Sequence, residues 1–187
     1  MHWFADPFDS SMRTKDNKVF NHCPRCTSNE LKFINQRFLS CADCDFTYFH
    51  NIASAVGGII EYQGKILLTT RANEPRAGLF DLPGGFIEPD ETLEEGLTRE
   101  VQEELNLVIH DWQYLCSYPN TYLFKGVEYH TLDSFFITKL NYSPNLLLEQ
   151  LEIKAAHWLN LNEINLNKIA FPSIKNAIYA YLTRGKG

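Results

Sequence analysis

Residues 84–107, GGFIEPDETLEEGLTREVQEELNL, constrain this chain more than any other stretch, because they pack eight carboxylates into 24 residues. Like charges at helical spacing repel and weaken a helix. The apolar residues argue for one nonetheless: Leu93, Leu97, Val101 and Leu105 recur every four positions and form a single stripe. The spacing predicts a helix over 92–105, with Thr92 as N-cap and Glu94 and Glu95 favourable in the first turn. Glu100, Glu103 and Glu104 then project to one side while the stripe holds the other side to a core. A Pro-Gly-Gly breaker feeds the helix, and glycine lets backbone approach a ligand with no Cβ in the way. Mg²⁺ and Mn²⁺ take oxygen ligands, so carboxylates and a turn carbonyl suit them. The crowding is useful if the helix holds cations; the plainer reading is a solvated charged face.

Cysteine supplies the second feature. Four of the five cysteines form two C-x2-C pairs, Cys23 with Cys26 and Cys41 with Cys44, 14 residues apart. In a reducing compartment this favours metal over disulfides. Four thiolates suit a closed tetrahedral Zn²⁺, structural because no position is left for water. A unit this small has too little core to hold itself without metal. His22 and His50 flank it as surface residues, and Cys116 reads as a small apolar strand residue.

The expected order is a tail at 1–20, a zinc ribbon at 21–50 and a larger domain at 51–187. Between the knuckles, TSNELKFINQRFLS alternates enough for a short hairpin. IASAVGGII and KILLTTR read as strands joined by a hairpin. LVIHDWQYLCSY and VEYHTLDSFFITKL read as strands with a loop, PNTYLFKG, between them, and EIKAAHWLN as another strand. PSIKNAIYAYL closes the chain as an amphipathic helix opened by Pro172. Strands mixed with two helices of different character predict an α+β chain, an α/β/α sandwich around a mixed sheet.

The net charge of −6 argues against a general nucleic-acid or membrane binder, and the charges within residues 1–50 cancel. An acidic protein that handles phosphates needs metal cations. No apolar run reaches the roughly 20 residues that span a bilayer. The N-terminus lacks a basic patch followed by an apolar stretch, so a soluble, cytoplasmic protein is expected.

The acidic segment resembles the Nudix box, G-x5-E-x7-R-E-U-x-E-E-x-G-U with U aliphatic. Gly85, Glu91, Arg99, Glu100, Val101, Glu103, Glu104 and Leu107 match in order. Asn106 stands where glycine is expected, and asparagine tolerates the same left-handed backbone. GLFDLPGGF, residues 78–86, is similar to the G-x-W-x-L-P-G-G approach to the box, with Phe80 in the aromatic position. The resemblance implies that Glu100, Glu103 and Glu104 hold Mg²⁺ or Mn²⁺, with the carbonyl of Gly84 or Gly85 nearby. It implies that Glu91 and Arg99 pair to fix loop against helix. LEIKAAHWL resembles a segment of NADH pyrophosphatase-like members, which implies that Glu152 is the extra acid, as Mg²⁺ or Mn²⁺ ligand or as base, with Glu149 competing. Glu100 and Glu152 are the two candidates for the base.

The implied activity is metal-dependent hydrolysis of a nucleoside diphosphate linked to another group, such as NAD(H) or ADP-ribose. A nucleoside triphosphate or NAD-capped RNA substrate is the alternative, as is a nucleotide sensor without turnover. A ribbon before such a domain is similar to the NADH pyrophosphatase branch, but of the marker S-Q-P-W-P-F-P-x-S only Ser117 and Pro119 survive. At the substrate end, Tyr118, Tyr122 and Phe124 stack on a ring or pack the core, and Arg71 and Arg76 bind a terminal phosphate or lie on the surface. The ribbon is left with a scaffold or dimerisation role, so a homodimer is among the expected partners.

Overall fold

A computed structural model describes residues 20–34, 37–125 and 127–184. The expected tail therefore lies outside the described residues except for Phe20, and so does the end of the larger domain beyond 184. The chain divides into two compact units, Met1–Asn51 and Ile52–Gly187.

The first unit holds a three-stranded antiparallel sheet: β1 (Leu31–Ile34), β2 (Phe38–Cys41) and β3 (Thr47–Phe49). The sequence hairpin is β1–β2, and β3 adds a strand that the sequence reading left out. Each cysteine pair forms a tight knuckle. The Thr27 N–H donates to the Cys23 carbonyl at 2.8 Å, and the Asp45 N–H to the Cys41 carbonyl at 3.1 Å. Thr27 and Asp45, each one residue beyond its pair, both take a left-handed backbone (φ 63° and 55°).

The second unit contains β4 (Ala53–Tyr62), β5 (Lys65–Arg71), β6 (Phe80–Asp81), α1 (Leu93–Leu105), β7 (Gln113–Phe124), β8 (Val127–Leu140), β9 (Ile153–Asn160) and α2 (Pro172–Thr183). The strand order is β6-β5-β4-β8-β7, with β9 along the other side of β5. β4 and β8 run parallel and the remaining pairs antiparallel, so the sheet is mixed.

Strand alternation sends neighbouring side chains to opposite faces. Ile60, Leu67 and Phe136 meet Leu97, Val101 and Leu105 of α1. Their neighbours Ile59, Ile66, Leu68 and Phe135 meet Ile174, Ala177 and Ile178 of α2. Two cores, one per face, make the α/β/α sandwich expected from the sequence. Truncating a fully buried leucine such as Leu67 to alanine costs about 2–5 kcal/mol.

α1 starts at a capping box. The Thr92 Oγ1 accepts from the Glu95 N–H, and the Glu95 carboxylate accepts from the Thr92 N–H. It ends at Asn106, left-handed at φ 54°, whose N–H donates to the Gln102 carbonyl.

Two sequence assignments need correction. Residues 107–112 are not strand; Leu107, Ile109 and Trp112 are apolar because they pack into the α1-side core, and the Ile109 carbonyl accepts from Thr98 Oγ1. The supposed loop PNTYLFKG is mostly strand, since β7 stays paired with β8 as far as Phe124 and Val127. Pro119 is tolerated because β7 is an edge strand, where a missing N–H breaks no ladder on the open side.

Candidate active site

β5 leaves β4 soon after their hairpin, and the segment leading into α1 fills the gap. The Gly58 N–H donates to the Pro83 carbonyl, the Val56 N–H to the Gly85 carbonyl and the Ile87 N–H to the Ser54 carbonyl, at 2.9, 2.9 and 3.1 Å. This threads the Gly-Gly turn between β4 and the acidic side of α1. Gly84 has φ +140°, and a Cβ there would lie 2.2 Å from the Val56 carbonyl oxygen. A Cβ on Gly85 would lie 2.5 Å from the Glu100 carboxyl carbon. Only glycine fits at 84, where the clash is with backbone, whereas a side chain at 85 would push the Glu100 carboxylate aside.

Glu104 is 7% exposed, and its Oε2 accepts from the Gly84 N–H at 3.1 Å. Burial raises its carboxyl pKa well above the ordinary range, and the charges of Asp81, Glu100 and Glu152 add to this against the Gly84 N–H. Glu100 is also raised, by burial first and then by Glu103 and Glu152, against the pull of Arg99. Glu103 does not join them: its side chain is 60% exposed and its carboxylate meets Arg99 Nη1 at 3.2 Å.

Arg99 ties the segment together. Its Nε and Nη2 donate to the two Glu91 oxygens at 2.6 and 3.0 Å, Nη2 also to the Phe86 carbonyl at 3.1 Å, and Nη1 to Glu100 at 2.9 Å. This fork fixes the entry loop against the helix, geometry that lysine cannot reproduce.

The Gly-Gly turn and the α1 glutamates 100 and 104 border a cavity of about 780 Å³, in the range of small-molecule sites. Glu100, Glu104, Glu152 and Gly85 line it. Glu149 is not among the lining residues; its Oε1 instead accepts from the Leu151 N–H at 3.0 Å. Tyr122 and Phe124 line the cavity, whereas Tyr118 packs in the α2-side core. Phe80 stands edge-on to His157, outside the lining. Arg71 lines the cavity, paired with Asp81 at 2.6 Å and lying over the Phe171 ring at 5.2 Å; Arg76 is exposed and elsewhere.

Sequence reasoning missed Asp81, Asn120, Asp133 and Ser173. Asp81 and Asp133 sit in apolar strands and line the cavity. The usable signal was the cost of a lone carboxylate in such a strand, which demands partners. Burial pushes the Asp81 carboxyl up, while Arg71 draws it down.

Two groups of residues fit metal ions. Glu100, Glu104 and Glu152 could supply oxygen ligands, and a divalent cation would relieve their mutual repulsion. The Gly85 carbonyl already accepts from Val56 and has its second lone pair to offer. The four knuckle cysteines form the other group, with sulfurs all within 4.8 Å of one another; among the described residues no three carboxylates draw that close. At Cys23 burial opposes the thiolate, yet the backbone N–H groups of Cys26 and Arg25 outweigh it and bring the pKa down to about 7. Burial and the neighbouring sulfurs push Cys44 up to about 12. Four thiolates would repel without a cation among them.

Residues 50–181 match the family model of the NUDIX domain. The chain is 40% identical over 124 residues to an ADP-ribose pyrophosphatase of Methanocaldococcus jannaschii, a match covering 66% of this chain and 69% of that protein. It is 27% identical over 161 residues to the NAD-capped RNA hydrolase NudC of Photorhabdus laumondii, covering 84% of this chain and 60% of that protein. Among solved structures, a NUDIX hydrolase from Nitrosomonas europaea superposes with a TM-score of 0.64 at 27% identity, over 90% of this chain and 94% of that one.

Proposed function

The chain belongs to the NUDIX domain family, and on that premise we propose that it hydrolyses the phosphoanhydride of a nucleoside diphosphate linked to a second group, of the ADP-ribose or NAD(H) kind. The observation that carries this reading is the placement of Glu100 and Glu104 against the Gly84–Gly85 turn in a cavity large enough for such a substrate. The relative named for ADP-ribose pyrophosphatase activity supports the substrate class.

In this proposal Glu100, Glu104 and Glu152, with the Gly85 carbonyl, would hold Mg²⁺ or Mn²⁺, and Glu103 would join them by leaving Arg99. Such ions neutralise phosphate oxygens and lower the pKa of water. Glu104 supplies a carboxylate kept short of hydrogen-bond donors, with only the Gly84 N–H on it among the described residues. Glu100 is held by Arg99, whereas the Glu152 side chain has no hydrogen-bond partner among the described residues, so Glu152 is the group that takes the proton from attacking water. Arg71, steadied by Asp81, faces the diphosphate, and Tyr122 and Phe124 face the ring end.

Zn²⁺ is assigned to the cysteine unit as a structural ion. Its Sγ–Sγ separations of 3.6 and 3.7 Å approach the edge of about 3.8 Å for a tetrahedron with bonds of about 2.3 Å. Two C-x2-C pairs placed to share a metal favour a reducing, cytoplasmic setting. Among the described residues no helix is long and apolar enough to cross a membrane. A homodimer is retained as a partner proposal.

The test is product analysis after incubating the full chain with ADP-ribose, NAD⁺, NADH or CTP and Mg²⁺ or Mn²⁺. Release of AMP with ribose 5-phosphate, or of AMP with NMN, is expected. Binding of these ligands with no mononucleotide released would replace the hydrolase with a sensor. The NudC-like relative adds a second reading, in which NAD-capped RNA outcompetes the free dinucleotides in the same assay.

A further inference from the structure

Asp133 sits within β8 and is 9% exposed. Three donors from three elements converge on it. Thr131 Oγ1 of β8 donates to its Oδ1 at 2.6 Å, and Ser173 Oγ of α2 and Asn120 Nδ2 of β7 donate to its Oδ2 at 2.6 and 2.9 Å. A carboxylate accepts at about four sites, so roughly one stays open, and Asp133 lines the cavity. Asn120 lines it too. It spends one amide hydrogen on Asp133, and no hydrogen bond among the described residues engages its Oδ1 or its second N–H. Two residues along β7, on the same side of the strand, Tyr122 presents its ring to the cavity. Phe86 stands edge-on to Tyr122 with centroids 5.8 Å apart, and Phe171 lies tilted at 5.9 Å. An aromatic wall, an amide and an acceptor thus share one cavity with the glutamates.

Resting on the hydrolase reading above, we infer that Asn120 and Asp133 select the ring end of the substrate, taking a planar ring whose –NH₂ lies beside a hydrogen-bond acceptor. The –NH₂ donates to Asp133, the neighbouring acceptor receives the second N–H of Asn120, and Tyr122 covers the ring. An oxo or carboxylate oxygen in place of –NH₂ would meet the Asp133 carboxylate acceptor to acceptor, leaving both unpaired. Two sources carry this edge: adenine, and the carboxamide of nicotinamide.

The experiment compares kcat/KM within two substrate pairs. One is ADP-ribose against its hypoxanthine analogue; the other is NAD⁺ against the analogue whose carboxamide is a carboxylate. The wild type should prefer the –NH₂ member of one pair by at least about tenfold, and that pair names the ring. Asp133→Asn, which can present a donor, should narrow the preference to about threefold or less. Asn120→Ala leaves the Thr131 and Ser173 bonds to Asp133 in place and should narrow the same preference, so the test survives a folding defect in the first variant. Equal use of both members by the wild type, or a preference untouched by either variant, overturns ring selection. If no substrate is hydrolysed, calorimetric titration of the same four ligands separates the two claims. A binding preference that the variants narrow keeps ring selection and removes the hydrolase; equal binding or none removes ring selection.

Discussion

Cys23, Cys26, Cys41 and Cys44 crowd their sulfurs within 4.8 Å of one another, on two knuckles closed by backbone hydrogen bonds. Glu100, Glu104 and Glu152 stand further apart around a cavity of about 780 Å³. Both regions gather anionic ligands. Zn²⁺ held by all four sulfurs of the first would leave no position for water, so metal there would serve folding. The second is open, and burial and neighbouring carboxylates raise the pKa of Glu100 and Glu104, a strain that a bound cation would relieve. The contrast shows in the anchoring. The cysteines lie on two short turns closed by backbone hydrogen bonds, whereas α1 is fixed by its own core, its capping box and the Arg99 fork.

The largest expected effect falls on the closed site. Cys41→Ser removes a ligand from metal-coupled folding worth about 10–16 kcal/mol in small zinc units. Amide exchange should show β1–β3 losing protection while β4, β5 and β8 keep theirs; intact protection of β1–β3 would break the contrast. Next comes Gly85→Ala, whose Cβ must displace the Glu100 carboxylate. It should lower kcat/KM by about 10–100-fold, with a thermal midpoint close to wild type. Arg99→Lys loses the bidentate fork and should cost about 1–3 kcal/mol in urea unfolding of the second unit.

A smaller effect concerns pH. Because the folded pKa of Glu104 lies above its unfolded value, the folded state binds the extra proton between the two. Metal-free protein should therefore gain stability as pH falls through the folded value and lose it as pH rises. Glu104→Gln should flatten that slope in thermal melts. An identical slope in the variant would show that the open site carries no such cost.

Much of this was legible because it is local. The Leu97–Val101–Leu105 stripe, the Thr92 cap and the left-handed Asn106 depend on residues within one helix. β5 and β8 coincide with KILLTTR and VEYHTLDSFFITKL. The length of β7 was hidden because Pro119 and the nearby glycine signal a turn, and only an edge position makes that proline harmless. β6 has two residues and exists because β5 parts from β4, a tertiary event. Asp133 escaped for the same reason: Ser173, its buried partner, lies 40 positions away. Which of Glu103 and Glu104 turns toward the cavity was hidden, because spacing alone does not say how the two residues of an acidic pair divide between Arg99 and the cavity.

The most direct test of the central claim is Mn²⁺ binding followed by electron paramagnetic resonance, on zinc-replete wild type and on Glu104→Gln. The glutamates should take up Mn²⁺, and the variant should bind it at least about tenfold more weakly and lose hydrolysis while its circular dichroism stays unchanged. Equal Mn²⁺ affinity and equal turnover in the two proteins would contradict a cation site on α1.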